Sequence, residues 1–539
     1  MMTRKIVFFG ASEGARQAWR RWPSDLSVSF FVDNDPAKWG STFEGLPVRD
    51  PSLLADEPLG SVFIVIASRW YEDIARQLGT WGFSPRLDFA DPGEAVGILR
   101  ASTPDLPASD AVAAVFEDHW FGVDYDQLRE HLAHAGIRAI PARLPSELAR
   151  LDLDIDRDTC RALRVSGVPL FDACFFDVCV ALGVTPDRFN PDSASHWNTL
   201  VEHMRCAAAA ATIIGRWLDW ARPDAVVIPQ GHLTVCAVYR YLAVLRGIRV
   251  IALEFSLDRR LLVWDDVAGI AVNRIPARNY YWRWADLVDP RDARRYVDEY
   301  LASIRTVKTD DHRSPNRHWP GAEAGRPVVL YLANVLTDSS VLFNSRVGSQ
   351  VDAIRAVARW AVEHGCTFVL KIHPRERPGS PVMRRAFPPA EYSYEGLTIA
   401  ALQEDVGLWQ LLSTSGQCVV DADNRYDTCD LIRRSDVCVT VCSQAGLEAL
   451  LLGRETVVLG EAYYGGLGFT HDVQSLEQVG PALAAALDPD RRRADEDRIA
   501  RFFYVFARIY CIERSTAGVA SLVRRTLGRE RLPVLPATA

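Results

Sequence analysis

Short apolar runs rich in β-branched residues recur along the chain, each followed by a glycine or serine turn and then by apolar positions at helical spacing. That is the pattern of parallel strands joined by crossover helices. The first group has strands at 5–9, 27–32 and 61–67, with the turn 10–14 leading into a helix. In the second, strands at 111–116, 139–140, 225–229 and 249–253 alternate with helices at 168–182, 197–221 and 233–246. The third predicts strands at 327–332, 367–372, 437–441 and 456–459, helices at 352–363 and 444–452, and closing helices over 499–527. Residues 101–108, with Pro104 and Pro107, read as a linker, and the polar, charged stretch 289–325 as the crossing between two domains. The expected organisation is a Rossmann-like domain at 1–100, α/β domains at 109–305 and 322–485, and C-terminal helices at 486–539.

Length agrees with several domains, since 539 residues exceed what one core holds. Hydrophobic residues at 48% against 24% charged residues are the composition of a globular protein. A net charge of −8 speaks against a nucleic-acid partner, which calls for a basic excess. The eleven cysteines show no metal-ligand spacing, no signal peptide precedes Lys5, and no apolar run approaches the ~20 residues of a spanning helix. A cytoplasmic protein with reduced thiols is expected.

Candidate chemistry gathers in the third group. Ser443 stands as N-cap where the strand 437–441 gives way to a helix, and Gly453 closes that helix. A strand feeding a helix N-terminus is an anion site, because free N–H groups, the positive dipole end and a hydroxyl converge there. Leu447, Leu450 and Leu451 make one helix face core, while Gln444 and Glu448, four apart, share another. Lys371, His373 and Arg375 alternate at the end of the strand 367–372, so an extended chain puts them on one side, where they suit a phosphate leaving group.

The second group ends its strand 249–253 in Glu254, a carboxylate at a sheet's C-terminal edge and a candidate base or nucleophile. Asp258, Asp265 and Asp266 in the following loop read as solvated. In the first group Gly10, Gly14 and Asp33, about 20 positions on, outline a nucleotide-binding turn, although Ser12 replaces the second glycine of G-x-G-x-x-G. The stretches 32–36 and 45–48 resemble the small nucleotide-binding domain of some sugar acetyltransferases. Ser12 and the lack of a Tyr-x-x-x-Lys pair count against an NAD-dependent oxidoreductase there. Asp421 and Asp423 form a D-x-D pair, read as solvated and not as a metal site. The run Arg491 to Arg493 reads as a solvated face.

Lys371-Ile-His-Pro374, then Ser443-Gln-Ala-Gly-Leu-Glu-Ala-Leu450, Gly453, Gly460, Tyr464 and Gly468-Phe-Thr-His-Asp472 together resemble the capsule polysaccharide biosynthesis family, which includes Kdo transferases of capsule export. The turn 269–273, ending in Asn273, resembles that family's "GVN" turn, whereas Phe255-Ser256 departs from the Asp-Gly following the glutamate in one branch. The resemblance implies a GT-B pair of Rossmann-like domains, added to the N-terminal one, acting as a metal-independent glycosyltransferase without a cofactor. It would move a sugar, Kdo or a relative, from a nucleotide-sugar, with CMP favoured, to a saccharide or glycolipid acceptor. Lys371 and His373 would neutralise the phosphate that Ser443 holds, with Arg375 beside them. Gln444 and Glu448 would meet the nucleotide, Glu448 through ribose hydroxyls, and Glu254 would act from the opposite half. Contact with the inner membrane or a polysaccharide assembly complex would be peripheral. The alternative is a non-catalytic sensor of nucleotide-sugars built on a degenerate pair.

Overall fold

The computed structural model describes residues 4–528 except 84, 86–87, 102–110, 117–120, 143–150, 267–273, 308–316, 320–324, 387–388, 489 and 491–494. The linker 101–108 apart from Ala101, which ends the helix Pro92–Ala101, the turn 269–273 with Asn273, and Arg491 to Arg493 therefore lie outside the described residues.

Three six-stranded sheets follow one another along the chain. The first contains β1 (Lys5–Phe9), β2 (Val28–Val32), β3 (Thr42–Phe43), β4 (Leu46–Arg49), β5 (Val62–Ile66) and β6 (Phe89–Ala90), in the order β3-β4-β2-β1-β5-β6. All its pairings are parallel except β3 with β4. The second contains β7 (Ala111–Val115), β8 (Ile137–Pro141), β9 (Ala225–Pro229), β10 (Arg249–Phe255) and β11 (Leu261–Asp265). Its order is β18-β11-β10-β9-β7-β8, where β18 (Ile512–Glu513) arrives from the far end of the chain and both β18 and β10 run antiparallel to β11.

The third sheet is wholly parallel: β12 (Val328–Leu332), β13 (Thr367–Lys371), β14 (Cys418–Asp421), β15 (Val437–Thr440), β16 (Glu455–Val458) and β17 (His471–Asp472). Its order, β14-β13-β12-β15-β16-β17, is the doubly wound dinucleotide-binding order 3-2-1-4-5-6. Strand order reverses between β12 and β15, and ligands of such sheets sit outside the carboxyl ends of the strands at that point. The runs of these central strands are buried on both faces, as helices on either side require. The expected α/β class, with a GT-B-like pair and a Rossmann-like unit ahead of it, is what the chain forms.

Two segments depart from expectation. Of the stretch read as a polar crossing, Pro290–Val307 is a helix whose Ala293, Val297, Tyr300 and Ile304 enter the core of the third sheet. The preceding helix, Ile275–Trp284, joins the same core through Ala277 and Tyr281. In the other direction, the closing helices split: Glu496–Tyr504 packs on Pro290–Val307, while β18 and the helix Thr516–Thr526 return to the second sheet. The first and second sheets share a continuous apolar core, and Arg216 of the long helix Ala194–Ala221 donates to the carbonyl of Ala55 at 3.0 Å.

Candidate functional site

The turn after β15 lies at the switch point. Thr440 Oγ1, fully buried, donates to the carbonyl of Leu332 at the end of β12 (2.9 Å) and accepts the N–H of Ser443 (3.1 Å), which pins the turn between the two strands. Ser443 is the N-cap of Gln444–Leu451, and its Oγ accepts the N–H of Ala445 (3.3 Å). Its carbonyl accepts from the Tyr464 hydroxyl at 2.5 Å. Gly446 makes that approach possible, since a side chain there would overlap the Tyr464 hydroxyl. Gln444 is half-buried at the helix start.

Glu448 is not available for ribose hydroxyls. It is wholly buried, and Tyr300 of the helix Pro290–Val307 donates to its Oε1 at 3.3 Å. One turn of helix carries it inward, away from Gln444.

Lys371 also leaves the expected group. It is the last residue of β13, 3% exposed, and its Nζ donates to Asp421 Oδ2 on the neighbouring β14 and to the carbonyl of Tyr426, both at 2.7 Å. Burial pulls its pKa down, against the opposing pull of Asp421. The alternation that would align Lys371 with Arg375 ends there, because Pro374–Glu376 forms a 3-10 turn. His373 caps that turn, its Nδ1 accepting the N–H of Arg375 at 3.1 Å, so the neutral ring carries its proton on Nε2. Of the D-x-D pair, Asp421 is buried on Lys371 and Asp423 is paired with Arg425.

Glu254 is the penultimate residue of β10, still paired with Val263 across the hairpin to β11, and it is 9% exposed. Its Oε1 lies 3.7 Å from Nδ1 of His232. His232 follows a turn in which Gln230 (φ 58°) and Gly231 (φ 87°) both adopt the left-handed conformation, which costs energy at Gln230 alone. Burial pulls the His232 pKa from 6.5 to about 4, with Arg240 adding to the shift, so at neutral pH the ring is uncharged and the approach is not an ion pair.

The second and third sheets meet at these residues. Phe343, from the short helix Ser339–Asn344 after β12, has its ring 6.4 Å from that of His232. The same helix accepts the Cys442 thiol on the carbonyl of Ser340 (3.2 Å) and the N–H of Glu461 on that of Asn344 (2.8 Å). One short helix thus bridges from the Ser443 turn to the His232 and Glu254 pair. Beside it, Arg259 and Arg514 both flank the Phe255 ring, at 5.1 and 5.0 Å from its centre. Burial lowers the Arg259 pKa to about 10, and the charges of Arg375 and Arg514 push the same way. Asp258 and Asp265, expected in solvent, are buried, and Asp258 is gripped at both oxygens by Arg260.

The N-terminal turn is built differently from a ribose site. Gly10 is required, since its φ is 113° and a Cβ would approach the Ala67 carbonyl to 2.9 Å, but a Cβ on Gly14 would meet nothing closer than 3.9 Å. Asp33 accepts from the N–H of Ala11 (2.7 Å) and from Lys38 Nζ (2.9 Å) on one oxygen, and from the N–H of Asp35 (2.9 Å) on the other. Burial would raise its pKa, but those donors together hold it below the usual range. Its carboxylate therefore closes its own loop.

The sequence signals for His232 and Arg259 were a lone imidazole after a strand and one arginine of a pair, neither distinguishable from surface residues. Burial of His232 yields a test. A His whose folded pKa is depressed stabilises the fold above its unfolded pKa and loses that stability as pH falls through the interval from 6.5 to about 4. Urea denaturation at pH 7, 6 and 5 should show wild type losing up to about 1.4 kcal/mol per pH unit more than His232→Gln. Parallel pH curves for the two proteins would mean that the imidazole is solvated.

Residues 418–492 match the family described as "Capsule polysaccharide biosynthesis protein", bearing out the resemblance over that stretch. No curated protein sequence matches the chain. Among solved structures, the beta Kdo 2,4 transferase KpsC of Thermosulfurimonas dismutans is 19% identical over 54% of this chain and 81% of its own, with a TM-score of 0.38. The beta Kdo 2,7 transferase of the same KpsC is 16% identical over 54% and 78%, with a TM-score of 0.33. The UDP-GlcNAc 2-epimerase of Neisseria meningitidis is 11% identical over 78% and 100%, with a TM-score of 0.29. None of these scores reaches 0.5.

Proposed function

We propose that this protein is a GT-B-type glycosyltransferase that moves a sugar from a nucleotide-linked donor to a saccharide or glycolipid acceptor. The observation that carries the reading is the doubly wound order of the third sheet, with the capped helix Gln444–Leu451 opening at its switch point. Ser443 and the helix N-terminus receive the donor phosphate, and Gln444 lies beside them. Glu254, the penultimate residue of β10 in the other half, is the base or nucleophile, and His232 beside it is uncharged. His373, with its proton on Nε2, is a donor at the same cleft. The family match makes an ulosonic sugar such as Kdo, linked to CMP, the first donor to try, and no metal is invoked because the paired carboxylates Asp421 and Asp423 are held by cations of the chain.

A thermal-shift panel of CMP-, UDP-, GDP- and CDP-linked sugars tests this, because a ligand that binds only the native state raises the melting temperature by mass action. One nucleotide should stand out, and its sugar donor should be hydrolysed slowly in the absence of acceptor. Binding with neither hydrolysis nor transfer would make the chain a sensor. No response to any donor would remove the reading.

A further inference from the structure

Among the described residues, one deeply buried arginine lacks an acceptor for much of its fork. Arg274, immediately ahead of the helix Ile275–Trp284, is 6% exposed, and its Nε and Nη2 have no hydrogen-bond partner. A guanidinium removed from water without acceptors is costly. Such a group persists where an anion completes it.

The helix fixes where this arginine points. Arg278 is four residues on and shares the same face. Its Nη2 donates to Glu461 Oε2 at 3.0 Å and to the Ala462 carbonyl at 2.8 Å, so that face lies against the loop after β16. The next residues of that loop are Tyr463 and Tyr464, both fully buried. Burial pushes both phenols upward, and the charge of Arg274 opposes the push at each, as it does at the Cys442 thiol. The same loop reaches the head of Gln444–Leu451, where the Tyr464 hydroxyl meets the Ser443 carbonyl. The Tyr463 hydroxyl is likewise buried without a partner, whereas Tyr464 is committed to the Ser443 carbonyl.

Two donors are therefore left open beside that loop, the unpartnered guanidinium nitrogens and a phenol O–H, while at the helix head Ser443 already takes the N–H groups of Ala445 and Gly446. We propose that Arg274 and the Tyr463 hydroxyl complete, at the head of that helix, the seat for the donor's phosphate, and that Arg274 supplies the positive charge that Lys371, bound to Asp421, does not. This deepens the transferase reading and rests on it for the identity of the ligand. In the transfer, the bond between the anomeric carbon and the phosphate oxygen breaks with its electron pair going to the phosphate, where Arg274 donates. The acceptor hydroxyl oxygen takes the vacated position and its proton passes to Glu254. Arginine suits the task, since its planar fork offers two parallel donors to one phosphate.

The test compares wild type with Arg274→Met, Arg274→Lys and Tyr463→Phe, using inorganic pyrophosphate, the free nucleotides CMP, UDP and GDP, and the nucleosides cytidine, uridine and guanosine. Pyrophosphate and one nucleotide should raise the wild-type melting temperature. Arg274→Met should weaken nucleotide binding at least about tenfold by calorimetry while leaving nucleoside binding unchanged, with Arg274→Lys in between. Without ligand, Arg274→Met should melt at or above the wild-type temperature, because it removes a buried, incompletely paired cation. A structural arginine would do the reverse. Equal nucleotide affinity in wild type and Arg274→Met, or a wild type indifferent to pyrophosphate and to every nucleotide, overturns the proposal. Should Arg274→Met fail to fold, Tyr463→Phe decides: severalfold weaker nucleotide binding supports the seat, and unchanged binding overturns it. If pyrophosphate binds through Arg274 but no nucleotide-sugar is transferred or hydrolysed, the anion seat stands and the transferase reading falls.

Discussion

Glu254→Gln should leave donor affinity within a few-fold of wild type and lower sugar transfer by at least ~10³, about 4 kcal/mol of transition-state stabilisation. The amide matches the carboxylate in size and suits the narrow space between β10 and His232. What it lacks is the negative charge that takes a proton or attacks the anomeric carbon. Calorimetry on the donor and a transfer assay on the same preparation decide it. Unchanged transfer would take the chemistry away from Glu254. Asp258, the next carboxylate along the chain, is then a poor substitute, because Arg260 already holds both its oxygens.

Lys371→Met is the second large effect, and it falls on stability. The ion pair of Lys371 and Asp421 is at most 3% exposed at either side chain, and removing the cation strands a carboxylate in the interior, at about 3–5 kcal/mol. Denaturant titration should show that loss, and Asp421→Leu in the same chain should restore much of it, since a buried pair replaced by apolar groups of similar size is often neutral. Turnover per folded molecule should change little. A Lys371→Met protein as stable as wild type but at least about 10²-fold slower would return the lysine to the donor phosphate.

The two residues show where the sequence is legible. Glu254 and Ser443 follow strands whose apolar runs are unmistakable, so their places at strand ends could be read directly, and the structure extends β10 only to Phe255. Lys371 was misassigned because alternation presumes that the chain stays extended, and the 3-10 turn at Pro374 ends it. Its partner, Asp421, is fifty residues away, and no local pattern announces a pairing across adjacent strands. Glu448 was misplaced for a related reason: the residue that buries it, Tyr300, lies in a stretch whose charges concealed the helical spacing of Ala293, Val297, Tyr300 and Ile304. Arg274 carries no sequence signal, because an arginine before a helix is ordinarily solvated, and only its burial without an acceptor sets it apart.

The pairing of β18 with β11 also constrains how the chain is made. Leu261 and Glu513 face one another although they are about 250 residues apart, a contact that no ribosome-bound fragment can form until Glu513 has emerged. Until then the hairpin strand Leu261–Asp265 presents an open edge, with Leu262 and Val263 ready to pair with any other chain. The strands of the first and third sheets need no such late arrival, although the core of the third is completed only by Glu496–Tyr504. The middle sheet, which carries Glu254, is therefore the last to be sealed, and nascent chains halted before Ile512 would be the ones most in need of a chaperone.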